Sequence, residues 1–237
     1  MAAIFSLLFW GFMLVTSALF YPLALMIRML SAPFDPKLVL LHRFACFWAS
    51  LYTWCNPLWR LRIEANIDPR GTYVMVCNHQ SLVDILVLFR LFVHFKWVSK
   101  AENFRIPFVG WNMTLNRYIR IDRGSLRGNL SMMRDAGAAL NAGSSVMIFP
   151  EGTRSPGRAL GEFKAGAFEL ALRSGVPILP VVIDGTAAAL PKRGFILRGK
   201  QAIRIRVLAP ISPPWGPGTD AGALTAMTRG RIAGELA

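Results

Sequence analysis

The N-terminal segment from Met1 to Ile27 contains no charged side chain, and Arg28 is the first. As a helix rising ~1.5 Å per residue it would extend ~40 Å, more than the ~30 Å hydrocarbon core of a bilayer. Because so long an uncharged run is rare in soluble folds, it predicts a membrane-associated helix, which Pro22 can kink. Lys37 and Arg43 follow Arg28, and these cations predict that this end of the segment faces the cytoplasm.

A second apolar stretch, 44–59, is rich in tryptophan and tyrosine, which suit a membrane–water interface. Three arrangements remain open. The first helix spans the bilayer while the second lies at the interface, or the two form a hairpin that dips into one leaflet, or both are core helices of a soluble protein. We therefore divide the chain into membrane-associated helices over 1–60, an α/β domain over 61–212 and a Pro/Gly-rich C-terminal tail over 213–237 that contains a short helix.

The composition favours a lipid partner. Hydrophobic residues make up 54% of the chain and charged residues 17%, with a formal net charge of +14. So large a basic excess fits nucleic acid or an anionic membrane surface. The apolar bias, and the lack of zinc-finger, ribonucleoprotein or basic heptad motifs, favour the membrane and predict no nucleic-acid partner. Cys46, Cys55 and Cys77 match neither a disulfide framework nor a zinc site, so reduced thiols are expected.

After about residue 61, short apolar runs alternate with helical patterns. Strands are predicted over 73–77, 94–99, 118–121, 145–149, 178–183 and 202–208, and helices over 81–92, 104–115, 126–141 and 165–173. Strands separated by helices imply βαβ units. The predicted fold class is therefore α/β, with a mostly parallel twisted sheet covered by helices and preceded by the N-terminal two-helix element.

Polar residues follow the predicted strand 73–77, where an open α/β sheet gathers its ligands. The loop Asn78-His79-Gln80-Ser81 leads to Asp84 in the first helical turn. This spacing lets the Asp84 carboxylate fold back onto one nitrogen of His79 and fix its tautomer. The other nitrogen can then take a proton from a substrate hydroxyl.

These residues also admit other interpretations. Ser81 and Asp84 match a helix capping box, in which Ser81 is an N-cap rather than a nucleophile. Cys77, at the end of the strand, is a rival nucleophile or, as we expect, a buried strand residue. His42 and His94 have no acidic neighbour in the sequence and are predicted to be structural.

The predicted strand 145–149 is followed by an acid, a glycine, a hydroxyl and a guanidinium. Gly152 allows close approach of the backbone to a ligand, and Thr153 adds the hydroxyl. Arg154 can grip a phosphate with a bidentate fork. Glu151 can accept a hydrogen bond from a substrate hydroxyl or hold Arg154 in place. A turn with a local ion pair is the alternative interpretation.

A third cluster, Arg117, Arg120, Asp122 and Arg123, surrounds the short strand 118–121. It suits an anionic headgroup, or else forms a solvated basic face. Because alternate residues of a strand share a face, Arg120 and Arg123 need not point to the same place.

Together and in this order, these clusters resemble the 1-acylglycerol-3-phosphate acyltransferase family, from about Tyr73 to Ile183. The matching segments are Asn78-His79-Gln80-Ser81 with Asp84, Ile121-Asp122-Arg123, the run Phe149 to Ser155, Phe163-Lys164-Ala165-Gly166, and the run Val176 to Val182. Any one of them alone is a weak signal. Their joint order argues against chance agreement.

The resemblance implies an α/β domain behind a membrane-binding helical pair, with no metal and no cofactor. His79, oriented by Asp84, would deprotonate the sn-2 hydroxyl of 1-acyl-sn-glycerol 3-phosphate. That oxygen would attack the thioester of acyl-CoA or acyl carrier protein, giving phosphatidic acid. The implied substrate-binding residues are Arg123, Glu151, Gly152, Thr153, Arg154 and Lys164, with Arg123 and Arg154 on the phosphate. The expected location is a bacterial-type inner membrane, with the catalytic domain facing the cytoplasm.

One position departs from the family pattern. The second block usually opens with a glycine several residues before Ile121, and here Arg117 stands at about that place. The alternative acceptor is therefore another lysolipid, such as a lyso-ornithine lipid. Gln80 and Thr153 resemble the residues at these positions in enzymes that act on lysophosphatidic acid, more than those in enzymes that act on glycerol 3-phosphate. A cysteine- or serine-based lipid hydrolase and a non-catalytic membrane adaptor are the alternatives from other classes.

Overall fold

Seven strands form one sheet in a computed structural model that describes residues 1–155, 159–216 and 218–236. They are β1 (Trp59–Glu64), β2 (Val74–Cys77), β3 (Phe95–Lys100), β4 (Ile119–Ile121), β5 (Ser145–Ile148), β6 (Ile178–Asp184) and β7 (Gln201–Val207). Every residue of β2 and β5 is buried. Strands covered on both faces need unbroken apolar runs rather than alternation, and these segments have them.

The order across the sheet is β1-β7-β6-β2-β5-β3-β4. Neighbouring strands are parallel at every pairing except that of β6 with β7. In the centre, Met75 of β2 is in register with Met147 of β5 and Leu179 of β6. The mostly parallel sheet expected from the sequence is confirmed, and its parallel strands end at a common edge.

Eight α-helices accompany the sheet in the described part of the chain. They are α1 (Ala2–Ser31), α2 (Val39–Trp54), α3 (Val83–Leu88), α4 (Val109–Leu115), α5 (Leu126–Asn141), α6 (Gly166–Ser174), α7 (Thr186–Ala189) and α8 (Ala221–Leu236). Short 3-10 turns cover Phe89–Leu91 and Ala101–Arg105.

The alternating side chains of the central strands build two separate cores, one on each face of the sheet. Met75 and Cys77 pack in a core with residues of α1, α2 and α3. Val74 and Val76 point the other way, into a core with residues of α5, α6 and α8. The N-terminal helices therefore cover one face of the sheet, and the C-terminal helix covers the other.

Helix α1 has its polarity reversed relative to a helix of a soluble protein. Its small polar residues Ser6, Thr16 and Ser17 are buried against the protein. Its large apolar residues face outward, including Leu7 and Leu14, which are 73% and 62% exposed. Helix α1 is the only described helix long and apolar enough to cross a membrane. Helix α2, the other member of the pair, is shorter and more than half of its residues are buried.

Four local expectations differ from the structure. The second apolar stretch ends its helix at Trp54, and Trp59–Glu64 forms strand β1, whose alternating apolar residues pair along β7. The helix expected over 104–115 is interrupted because Pro107 forces an extended backbone at Ile106. The helix expected over 81–92 is α3 followed by a 3-10 turn.

The fourth difference lies in the region 213–237, expected to be a Pro/Gly-rich tail with a short helix. It contains the 16-residue helix α8. Leu224, Thr228, Ile232 and Leu236 recur every fourth residue, the spacing of one helix face, and all four are buried. This part of the chain completes the second core.

Candidate active site

The loops that follow β2 and β5 meet at the carboxyl edge of the sheet, because these two strands are parallel neighbours. The first loop carries His79, and the second runs from Phe149 to Ser155. The Asn78 side chain fixes the first loop by exchanging two hydrogen bonds of 2.8 Å with the backbone of Ile183 in β6. The end of β2 is thereby tied to β6.

Asp84 holds His79, as the spacing predicts. His79 Nδ1 lies 2.8 Å from Asp84 Oδ2. The same oxygen accepts the backbone N–H groups of Gln80 at 2.6 Å and Ser81 at 2.8 Å. These contacts are those of a capping arrangement, so one carboxylate both caps the N-terminus of α3 and orients the imidazole. Asp84 is fully buried, and its acceptor oxygens match the donors around it.

Aromatic stacking fixes the plane of the His79 ring. The ring lies on Phe149, with centroids 4.0 Å apart and planes 12° apart. Phe149 in turn stacks on Trp97, with centroids 5.5 Å apart. The side chain of His79 keeps 14% of its surface exposed. With Nδ1 occupied by Asp84, Nε2 has no hydrogen-bond partner among the described residues and is available to a substrate.

Glu151 joins the two loops. Its Oε1 accepts the backbone N–H of His79 at 2.7 Å, while Oε2 accepts the hydroxyl of Ser155 and the N–H of Gly161. Ser155 N–H returns a bond of 2.8 Å to the carbonyl of His79. We expected Glu151 to accept a substrate hydroxyl or to hold Arg154. Within the described ranges the donors to its oxygens are these loop groups and Arg154 is not one of them, while the substrate-hydroxyl role stays a prediction.

Gly152 and Lys164 lie together in the structure. Gly152 has a φ of +68°, a conformation that favours glycine, and Lys164 Cε lies 3.3 Å from the position a Cβ would take there. The Lys164 N–H donates to the carbonyl of Pro150 at 3.0 Å. Thr153 is exposed and Arg154 half-buried in the same loop. Hence Gly152, Thr153, Arg154 and Lys164 share one region beside the His79 loop.

Arg123 lies farther away, in an exposed turn after β4. Strands β5 and β3 separate β4 from β2, so three strand spacings, or about 14 Å, lie between the two strand ends. Arg120 is held elsewhere: its guanidinium sits over the Phe104 ring and donates to Thr114 Oγ1 at 3.2 Å. Arg120 also lines a cavity of about 250 Å³ with Arg127. The structure therefore places Arg123 at the same edge as His79 and not beside it.

Sequence reasoning missed two polar residues at this edge. Thr186, fully buried at the start of α7, donates its hydroxyl to Asp84 Oδ1. Lys100 is the exposed last residue of β3, which neighbours β5. Both follow the strand-end rule that identified His79. Their position at the end of a strand is the signal in the sequence that points to them.

The rival nucleophiles are engaged or unreactive. Burial, followed by the negative charges of Asp84 and Glu151, raises the pKa of the Cys77 thiol well above its usual value. A neutral buried thiol is a poor nucleophile. The Ser81 hydroxyl donates to the carbonyl of Leu190 at 2.7 Å and accepts the N–H of Val83 at 3.2 Å. Ser81 thus serves the loop, much as the capping interpretation expected.

Of the other two histidines, His42 lies in the protein interior and His94 is half-buried. His42 is fully buried between the Tyr118 hydroxyl at 2.9 Å and the Val93 carbonyl at 3.0 Å. His94 Nε2 lies 3.0 Å from Ser144 Oγ. These contacts agree with the structural role expected for both residues.

Known proteins are similar to this chain over much of its length. A family model described as Acyltransferase matches residues 59–184. The chloroplast 1-acyl-sn-glycerol-3-phosphate acyltransferase LPAT1 of Arabidopsis thaliana is 34% identical over 209 residues, 86% of this chain and 56% of its own length. A 1-acyl-sn-glycerol-3-phosphate acyltransferase of Chlamydomonas reinhardtii is 33% identical over 233 residues, covering 96% of this chain and 67% of that protein.

Among solved structures, the 1-acyl-sn-glycerophosphate acyltransferase PlsC from Thermotoga maritima superposes with a TM-score of 0.80. The match covers 100% of this chain and 96% of that one at 23% identity, which shows a shared fold. The chain spans 56% of the length of the Arabidopsis relative. Since the family model covers more than half of the chain and the Chlamydomonas relative is matched over two thirds of its length, this chain belongs to the 1-acyl-sn-glycerol-3-phosphate acyltransferases of the acyltransferase family.

Proposed function

We propose that this protein transfers a fatty acyl group from acyl-CoA or acyl carrier protein to the sn-2 hydroxyl of 1-acyl-sn-glycerol 3-phosphate, giving phosphatidic acid. The observation that carries the proposal is the braced His79, whose Nε2 is available beside a loop bearing Arg154 and Lys164. A base next to cations suits a substrate that has both a hydroxyl and a phosphate. The names of the Arabidopsis and Chlamydomonas relatives support the same reaction.

The chemistry follows from the ring's two nitrogens. Nε2 of His79 accepts the proton of the substrate hydroxyl as its oxygen forms a bond to the thioester carbonyl carbon. Collapse of the tetrahedral intermediate breaks the carbon–sulfur bond, and the departing sulfur takes the proton back from the imidazolium. Asp84, bonded to Nδ1, keeps the tautomer and stabilises the transient positive charge. The attacking oxygen belongs to the substrate, so no acyl-enzyme forms, and the reaction as written uses no metal and no cofactor.

Cations at the carboxyl edge supply the phosphate site. The Lys164 side chain lies against Gly152, and Thr153 and Arg154 follow Gly152 in the same loop, so a hydroxyl and two cations stand together for the glycerol phosphate. Arg123 and Lys100, on the strands beyond β5, extend the same positive edge. A guanidinium binds a phosphate with two parallel hydrogen bonds, which is why we assign Arg154 and Arg123 to the headgroup.

The contacts of α1 support a position in one leaflet of a membrane. In both halves of its length α1 contacts the domain, since Ser6 Oγ accepts the N–H of Leu197 and Tyr21 packs on Trp111, and between them Thr16 bonds the Tyr52 hydroxyl of α2. A helix held along one side cannot cross a bilayer without drawing the domain in with it. We therefore assign α1 and α2 to one leaflet, lying in its plane, at the cytoplasmic face of the inner membrane.

The backbone conformation at Arg117 offers a structural reason for the glycine usual at this place in the family. Arg117 has a φ of +53°, the left-handed conformation that glycine adopts most easily. The glycine usual in the family is thus accounted for by backbone conformation. The arginine here changes the side chain at a turn without implying a different headgroup.

An acceptor and donor screen tests the proposal. The detergent-purified full chain is incubated with acyl-CoA or acyl carrier protein and with lysophosphatidic acid, glycerol 3-phosphate, lysophosphatidylcholine or a lyso-ornithine lipid. We expect phosphatidic acid as the main product, formed from lysophosphatidic acid. A folded enzyme that is inert toward lysophosphatidic acid with both donors, or that prefers the lyso-ornithine lipid, would contradict it.

A further inference from the structure

The loop between α7 and β7, residues 191–200 and here called the basic loop, combines features that the proposed reaction does not use. It carries four cations, Lys192, Arg193, Arg198 and Lys200, and no acidic residue occurs between Asp184 and Asp220. All four side chains are exposed. Phe195 and Ile196, at its centre, are 67% and 54% exposed. Large apolar side chains at a loop tip, ringed by cations, suit the headgroup layer of an anionic membrane.

The basic loop is fixed to the outward-facing helix α1. Trp10 Nε1 donates to the carbonyl of Phe195 at 2.7 Å, and the two rings pack edge to face, 5.9 Å apart. The N–H of Leu197 donates to Ser6 Oγ at 2.9 Å, and Leu197 is buried in the core. The tip of the loop therefore lies beside the N-terminal half of α1, next to its exposed apolar residues. The two exposed apolar surfaces are continuous.

The basic loop is also connected to the catalytic loop. Ser81 Oγ donates to the carbonyl of Leu190, the residue just before the basic loop, and Leu190 N–H bonds the carbonyl of Thr186. Thr186 is the residue that bonds Asp84. A membrane bound at the loop tip would thus be held at a fixed distance from His79.

We propose that the basic loop is a second membrane-insertion element that selects anionic phospholipid: Phe195 and Ile196 enter the leaflet beside α1 while the four cations bind headgroup phosphates. The inference rests on the proposed position of α1 in the same leaflet. Charge complementarity and continuity with the α1 surface choose a lipid occupant over an acidic protein. The loop therefore sets lipid preference and tilt, whereas α1 supplies most of the apolar anchoring.

Site-directed fluorescence tests the insertion directly. In a Cys55→Ser background, an environment-sensitive label is placed at Ile196→Cys, at Leu14→Cys on α1, or at Leu130→Cys on α5. Leu130 is 60% exposed and lies on the opposite side of the sheet. In vesicles of equimolar phosphatidylcholine and phosphatidylglycerol, we expect labels at 196 and 14 to shift to the blue and the label at 130 not to shift. A shift at 14 without one at 196 overturns the inference, and an unshifted label at 14 removes its basis.

Partitioning tests the charge selectivity. The full chain is offered vesicles of phosphatidylcholine alone and the equimolar mixture, separable by density. We expect the variant with Lys192, Arg193, Arg198 and Lys200 all changed to Gln to lose about tenfold or more of the preference for the mixture. Two variants matched in charge are compared as well: Lys192→Gln with Arg193→Gln in the basic loop lowers the preference, and Arg127→Gln with Arg134→Gln on α5 keeps it. An unchanged preference for the mixture overturns the proposal. A variant whose only defect is a higher KM for acyl carrier protein also overturns it. Activity in detergent micelles stays near the native value, which separates this result from a failure of the proposed reaction.

Discussion

Thr186 donates its hydroxyl to Oδ1 of Asp84, the carboxylate whose other oxygen lies 2.8 Å from His79 Nδ1. The hydroxyl, the carboxylate and the imidazole thus form one buried chain that ends at Nε2. Thr186 is a positioning residue in this chain, because it does not face the substrate and acts through Asp84.

Two substitutions at Thr186 separate the effect of its hydroxyl on kcat from the effect of its side-chain volume. We expect Thr186→Val to lower kcat by about 10–100-fold, since a hydrogen bond to a charged group contributes about 1.5–3 kcal/mol. Thr186→Ser keeps the hydroxyl and should restore most of kcat. KM for lysophosphatidic acid should change little in either variant. Equal losses in the valine and serine variants would indicate that packing, and not the hydrogen bond, matters.

The contact between His79 and Asp84 leads to a second prediction, on the kcat of three variants. His79→Ala and Asp84→Asn should each lower kcat by about 10²–10⁴-fold, because the first removes the base and the second its orientation. Cys77→Ala should keep kcat within about threefold of native, since a neutral buried thiol takes no part. Product formation with purified protein measures both. An inactive Cys77→Ala protein with an isolable acyl-enzyme in the native chain would point to hydrolase chemistry.

Glu151 predicts a combined loss of stability and activity. In Glu151→Gln the amide nitrogen cannot accept a hydrogen bond, so one of the N–H or hydroxyl donors around it is left unpaired. We expect the free energy of unfolding to fall by about 1–3 kcal/mol and kcat to fall with it, because the His79 loop loses its tie to Ser155. Thermal unfolding and kinetics on the same sample check this. If Glu151 instead binds the substrate hydroxyl, the variant will raise KM and leave the unfolding temperature unchanged.

Arg117 predicts a gain in stability. A side chain in the left-handed conformation costs about 1–2 kcal/mol, and glycine avoids most of that cost. Arg117→Gly should raise Tm by about 2–4 °C, while Arg117→Ala, which retains a Cβ, should give no such gain. The two variants remove the same charge, so their difference isolates the backbone. Preference for lysophosphatidic acid over lyso-ornithine lipid should not change in either.

His94 predicts sensitivity to acid. Burial, then the charge of Lys96, lowers its pKa from 6.5 to about 4. The unfolded chain therefore binds more protons between these values, and the free energy of unfolding falls as pH drops from about 6.5 toward about 4. Asp35 opposes the shift, while Lys37 and Arg43 add to it. We expect Tm to decline across this window and His94→Gln to make the decline shallower. The idea fails if native and variant Tm values fall in parallel.

Much of the fold and part of the site could be predicted from local sequence patterns. The central strands were predictable because burial on both faces demands unbroken apolar runs, as in Val74–Cys77. The His79–Asp84 contact was predictable because five positions across a loop and a first helical turn bring the groups together. Strand β1 was missed because its burial depends on a partner far along the chain, β7. The full length of helix α8, expected only as a short helix, was not predictable because the surrounding prolines and glycines obscured its four-residue spacing.

The amino-acid sequence by itself determined the class of fold, the order of its motifs and the local pair of imidazole and carboxylate. These features depend on side-chain periodicity and on groups a few residues apart. Only the tertiary structure decided that Thr186 completes the brace on Asp84, that Glu151 ties the two loops together, and that α1 lies along the domain. Each of these contacts joins segments that are distant in the chain, and sheet order and packing, which local spacing does not encode, bring them together.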